Sequence, residues 1–273
     1  MEKPPEQRYL FDASAVALGG YIRRPFDEVI ESQASAVLPI TGGYGRSRVD
    51  NFKYRNIASF SSAYSTVAGN ESCENGKLTY NTLTTVTVEG LNVSDIVTAD
   101  AVVARLTSEF DAEKQHQETV PVGSHFINLR IAGVRVEPEP RGFLFESGDL
   151  PKLTDACQSE PDLSALAGDL VRLQSGSSHG EASPMREGGP IAPRKRQVVT
   201  SLFAIPEKKK LPPGCFPTSD GGIRVPGFGT VYVSEFYITR SSRRLSMLRI
   251  EMGCPVDGTL TVDYVAGGGS THP

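Results

Sequence analysis

The chain has 273 residues, 38% apolar and 22% charged, with 27 glycines, 19 prolines and no tryptophan. That balance is ordinary for a globular protein with many tight turns. A formal charge of −4 excludes the basic field of a nucleic-acid binder, and no apolar run reaches the roughly 18–20 residues of a membrane-spanning helix.

The first ninety residues read as short strands and turns. "ASAVALGGYI" and "SQASAVLPITGGYG" alternate small and apolar residues and stop at Gly-Gly, and "NIASFSSAYSTVAG" spaces Phe60 and Tyr64 evenly. The longest apolar-patterned run follows, from Leu83 to Phe110. Leu83, Val86 and Val88 lie among threonines, Gly90 interrupts, and Leu91 and Val93 resume. From Ile96 to Leu106 both alternating sets carry apolar residues, as in a strand covered on both faces or a short buried helix. β-Branched enrichment favours the strand.

"TVTVEGLNV" (85–93) and "NLRIAGVRV" (128–136) share one pattern, and "GIRVPGF" (222–228) repeats its first seven positions. In each, period-2 apolar residues meet a glycine that permits a bulge or bend. The irregular spacing favours recurrent hairpins in a sandwich over a solenoid. Residues 140–196 read as a loop-rich insertion. Its one helix is expected over 161–173, where Leu163, Leu166, Leu170 and Leu173 have helical spacing, and an exposed loop is expected over 174–196. Strands resume at "QVVTSLFAI", "GTVYVSEFYIT", "RLSMLRIEM" and "GTLTVDYVAG", and 267–273 is expected to be a flexible tail.

"SAVLPITGG", "GLNVSDIVTADAVVARLTS", "FINLRIAGVRV" and "VPGFGTVYVSEF" before "RLSMLRIEM" occur in an order that resembles the bacterial choice-of-anchor P surface proteins. The resemblance skips 140–196. It implies export and attachment to the envelope rather than an activity. The start, "MEKPPEQRYLF", has no apolar leader core, so export implies a native leader that is absent here, with cytoplasmic residence as the alternative.

Catalytic signals are sparse. The four histidines (His116, His125, His179, His272) are isolated, no G-x-S-x-G elbow is present, and "GGYGRS" and "PGFGT" complete no phosphate-binding pattern. Asp95, Asp100, Glu146, Asp149, Glu235 and Glu251 stand singly, and a hydrolase needs two facing across a bond. Asp100, inside an apolar run, is expected to need Arg105 or Arg130 as partner if it points inward. "FESGD" (145–149) lacks the oxygen density of a calcium loop. Basic clusters such as Arg23-Arg24 and Arg243-Arg244 read as solvated loops and blunted strand edges, or as a contact surface for an acidic partner.

The expectation is therefore an all-β antiparallel sandwich of many short strands, one domain over 1–273, with an irregular solenoid as the alternative. No catalytic, cofactor or metal residues are assigned. The function expected is a non-catalytic structural or interaction protein of the bacterial envelope or exterior, whose partners are other proteins or envelope components. The alternatives are a small-ligand or carbohydrate-binding module, for which Tyr232, Phe236 and Tyr237 are the candidate platform, and a hydrolase with dispersed carboxylates. Cys215 and Cys254, each beside a glycine and near a proline, mark turns at one end of the sandwich and are the expected disulfide.

Overall fold

The computed structural model describes residues 8–74, 76–146, 197–204, 211–239 and 243–272. The chain opens with β1 (Arg8–Phe11), β2 (Ser14–Arg24), β3 (Glu28–Gln33) and β4 (Ala36–Val37). Four long strands follow: β5 (Gly43–Tyr54), β6 (Ala58–Glu74), β7 (Lys77–Val93) and β8 (Val97–Asp111). Short segments β9 (His116–Val120), β10 (His125–Ile127), β11 (Arg130–Ile131), β12 (Val134–Arg135) and β13 (Glu139–Pro140) lead to the helix α1 (Gly142–Glu146). Beyond it come β14 (Gln197–Ser201), β15 (Phe203–Ala204), β16 (Phe216–Pro217) and β17 (Gly222–Val225). The last four are β18 (Gly229–Thr239), β19 (Arg243–Met252), β20 (Asp257–Gly267) and β21 (Gly269–His272).

The result is an all-β antiparallel sandwich. One sheet runs β12-β11-β8-β7-β6-β5, with β9 and β10 also pairing with β8. The other runs β16-β17-β18-β19-β20-β2-β3, with β14 on β18 and β4 on β2. β2–β4 and β16–β20 thus meet in the second sheet, the terminal strands β1 and β21 form a two-stranded sheet of their own, and the long meander β5–β8 forms most of the first. The two share one core, and the Thr84 hydroxyl of β7 donates across it to the Ala266 carbonyl of β20 at 3.1 Å.

Threonine and valine fill β7 and β8 because branched side chains pack well on a pleated surface. Their hairpin closes through Ser94, Asp95 and Ile96, between the paired Val93 and Val97, with Ser94 and Asp95 both at positive φ (52° and 56°). Asn92 fastens that turn by accepting from the Asp95 amide (2.9 Å) and donating to the Asp95 carboxylate (2.7 Å). The glycines of the shared sequence pattern have a common conformational role. Gly90, Gly133 and Gly227 all have positive φ, the first within β7 and the other two in the hairpin turns β11–β12 and β17–β18.

A crease crosses both sheets. Along β5 the inward residues change from Ser47 and Val49 to Phe52 and Tyr54, so the alternation slips by one. The same slip separates Ala58 and Phe60 from Ala63 and Val67, Val86 and Val88 from Leu91 and Val93, and Val97 and Ala99 from Val102 and Ala104. These slips lie side by side, because Asp50 pairs with Ser62, Ser62 with Glu89, and Glu89 with Ala101. In the second sheet the inward set shifts at Ala17–Leu18, Val233–Ser234, Met247–Leu248 and Val262–Asp263, again in register. A positive-φ residue marks every second strand: Asn51 and Gly90 in the first sheet, Ser234 and Asp263 in the second. The doubled residues are exposed at Asp50–Asn51 and Glu89–Gly90 in the first sheet, and buried in the second. This is how two stacked sheets bend the same way.

The crease explains the two-sided apolar pattern from Ile96 to Leu106: one strand buries one face before Asp100 and the other phase after it. The strands differ from the short ones expected, since β6 and β7 are 17 residues each. Residues 267–272 of the expected tail are also not free. β21 pairs with β1, from Arg8 opposite His272 to Phe11 opposite Gly269. The helix expected over 161–173 and the loop over 174–196 lie outside the described residues. Among the described residues, no helix is long and apolar enough to cross a membrane.

Candidate interaction surface

The strands at the ends of the sheets differ sharply in length: β12 and β16 have two residues each, β3 has six, and β5 has twelve. Among the described residues β5 has one strand neighbour, β6, and its far edge makes no backbone hydrogen bond along Gly43–Lys53. The edge strand is held at both ends by the second sheet. The Val37 carbonyl closes on Gly45, where an added Cβ would sit 3.1 Å away. At the other end the Tyr54 hydroxyl donates to Glu28 at 2.5 Å, and Arg55 bonds the same carboxylate at 2.8 Å while stacking 3.7 Å over Phe26. Hydrogen bonds from Tyr54 and Arg55 hold the Glu28 carboxyl below its ordinary range.

Between these anchors β5 presents Arg46, Arg48, Asp50 and Lys53 to solvent. Arg48 reaches along the strand to Asp50 at 3.0 Å. At the start of the rim Val37, Ile40 and Tyr44 are 68%, 63% and 61% exposed. Where the crease crosses the outer face, Glu89 accepts from Ser62 (2.6 Å) and Tyr64 (3.3 Å), and Asp100 accepts from Asn128 (2.5 Å). Asp100 is exposed, so it needs neither Arg105 nor Arg130.

The carboxylates Glu235 and Glu251 flank one cation. Arg249, 19% exposed, makes a two-pronged pair with Glu235 (2.7 and 2.8 Å), bonds Glu251, and lies 3.7 Å over the Tyr232 ring. The Tyr232 hydroxyl donates to Asp220 at 2.6 Å. Burial and that bond push the Tyr232 phenol well up; burial works to lower Arg249, but Glu235, Glu251 and Tyr232 together outweigh it and raise it. The arginine occupies both carboxylates, leaving no acid–base pair here. Arg249→Met should cost about 2–4 kcal/mol in urea unfolding, because Glu235 is left half-buried without its partner. Arg249→Lys should recover only part, since an ammonium does not fork; a fully stable Met variant would contradict this.

The expected platform of Tyr232, Phe236 and Tyr237 is not formed. Tyr232 is 4% exposed beneath Arg249 and Phe236 is 0% exposed in the core. The positive-φ Ser234 places them on opposite faces despite their even spacing. The Cys215–Cys254 bridge is likewise absent: Cys73, Cys215 and Cys254 are free thiols. The β17–β18 turn comes between the pair, since Gly214 meets Pro226 while the Gly253 amide bonds the Phe228 carbonyl at 2.8 Å.

At the opposite rim a groove of about 230 Å³ lies among His125, Asn128, Arg135, Glu137, Phe126 and Phe203. Its charged groups pair with each other, Arg135 with Glu137 at 2.9 Å. His125 uses Nδ1 on the Gly123 carbonyl at 2.8 Å. Among the described residues no three metal-ligating side chains converge.

Sequence reasoning passed over Asp263. It is fully buried, its two carboxylate oxygens have no hydrogen-bond partner among the described residues, and burial raises its pKa well above the ordinary value. The available signal was a lone carboxylate within the β-branched run "TLTVDYV".

A family described as Domain of unknown function (DUF8256) matches residues 9–239. The chain belongs to this family. No curated protein and no solved structure matches it. The DUF8256 match takes in the whole β5 rim, from Phe26 to Arg55, and ends before β19 and β20.

Proposed function

We propose that this DUF8256 protein is a non-catalytic structural or interaction protein of the bacterial envelope or exterior, an accessory subunit in a larger assembly. The observation that carries the reading is the β5 rim. Among the described residues a twelve-residue edge strand stands without a second neighbour, beside three large apolar side chains that are each more than 60% exposed. Such an edge is a template for another chain. Of the single carboxylates, Glu235 and Glu251 are engaged by Arg249 and Asp100 by Asn128. The resemblance to choice-of-anchor P surface proteins supports the exterior location.

The test is fractionation of cells expressing the gene from its natural start, followed by size-exclusion chromatography of the tagged product. The expected result is recovery with the envelope or medium, in a particle larger than the 29.4 kDa chain. A monomer confined to the cytoplasm would overturn the proposal.

A further inference from the structure

The β5 edge also specifies what it pairs with. We infer that β5 accepts an extended acidic segment of another protein as an added antiparallel strand; this rests on the interaction reading above and names its partner class. Three observations converge. Backbone groups along Gly43–Lys53 are unused on one edge among the described residues, so an added strand gains a ladder of main-chain bonds. The inward positions Gly45, Ser47 and Val49 are small and only half-buried, so they admit small or β-branched side chains beside them. The outward positions Arg46, Arg48 and Lys53 outnumber Asp50, a basic row on a chain of net charge −4.

The crease excludes the simplest alternative, a second copy. Neighbouring strands in this sheet keep their slips level, as Asp50–Ser62–Glu89–Ala101 shows. An antiparallel copy of β5 with its slip at the same level sets Val49 beside Phe52, but it also sets Arg48 against Lys53, twice by symmetry. Like charges directly opposite destabilise a sheet. Glutamate or aspartate at alternate positions turns the same contacts into attractions, which fixes both register and partner sign. Ile40 and Tyr44 give apolar cover where the added strand runs past the start of β5.

The probe is a fluorescein-labelled eight-residue peptide alternating glutamate with threonine and valine, titrated with the full chain and read by polarisation at low and physiological salt. Saturable binding is expected. Replacing the glutamates by lysines should weaken it at least tenfold, and so should methylating alternate peptide nitrogens, which blocks the ladder but keeps the charge. Arg46→Glu combined with Lys53→Glu should lose binding to the same degree while melting like the wild type, since both side chains are exposed. No binding, equal binding of the lysine peptide, or equal binding of the methylated peptide each overturns the inference. So does a β5-dependent homodimer in sedimentation. The peptide-binding outcomes leave the cell fractionation untouched, and it decides the broader reading.

Discussion

Replacing Asp263 with asparagine should stabilise the protein at neutral pH and flatten its stability between about pH 4 and pH 8. The carboxyl is fully buried with both oxygens unpartnered among the described residues, and burial raises its pKa. In the unfolded chain it titrates near an ordinary aspartate value, about 3.9. With the folded pKa above the unfolded one, the fold is favoured below about pH 4, where both states are protonated. That advantage is lost as pH rises toward the folded pKa. Each pH unit by which the folded pKa exceeds the unfolded one costs the fold about 1.36 kcal/mol once the pH lies above both. Asparagine carries no such cost and retains the positive φ of 51° that residue 263 adopts, a region aspartate and asparagine tolerate better than other side chains. Melts of both proteins from pH 3.5 to 8 decide it: the curves should meet near pH 4 and diverge by several degrees above pH 6. Asp263→Ala should gain less, because alanine resists that backbone. Parallel curves, or an asparagine variant that loses stability as pH rises, would show that Asp263 is not held neutral by burial.

Asp263 also shows why part of this structure was hidden in the sequence. Alternation within β6, β7, β8, β19 and β20 was legible, because one face of each strand meets a common core. The level of the crease was not. It depends on single residues at positive φ, and only Gly90 among the four is a glycine. Asn51, Ser234 and Asp263 reach that conformation because neighbouring strands impose it. The consequences run to the candidate site. Tyr232 and Phe236 share parity, which argues for one face in a regular strand, and Ser234 separates them. Cys215 and Cys254 do mark turns, yet pairing needed the β17–β18 turn to be elsewhere. The buried polar groups divide on the same line. Ser234 bonds Val233, Ser201 and Phe203, whereas the carboxylate of Asp263 is buried with no hydrogen-bond partner among the described residues. The open edge of β5 was equally illegible, since an edge is defined by the strand that does not arrive. "GYGRSRVDNFKY" shows only the basic residues that suit one.

Val102→Asp should abolish soluble folding, while Val103→Asp, one residue on, should be tolerated. Val102 is 0% exposed, paired with Val88 on one side and Phe126 on the other. Its inward phase is the one β8 adopts after the slip at Asp100. A carboxylate there is placed in the buried core between Val88 and Phe126, so it forfeits the valine's burial, about 1.5–3 kcal/mol, and pays for desolvation or protonation besides. Against a typical total stability of roughly 5–15 kcal/mol, that sum removes most or all of the fold. Val103 lies on the outer face, half-buried between Thr87 and His125. Its aspartate keeps contact with water and should cost about 1 kcal/mol. Asp100→Asn, at the slip itself, should melt within a degree or two of the wild type, because an amide oxygen still accepts from Asn128. Soluble yield and thermal melts of the three variants read the crease directly. The order expected is Asp100→Asn near wild type, Val103→Asp slightly lower, and Val102→Asp without a cooperative transition. If Val103→Asp were the damaging change and Val102→Asp the mild one, β8 would have to continue the phase it holds before Asp100, and the crease would not cross it.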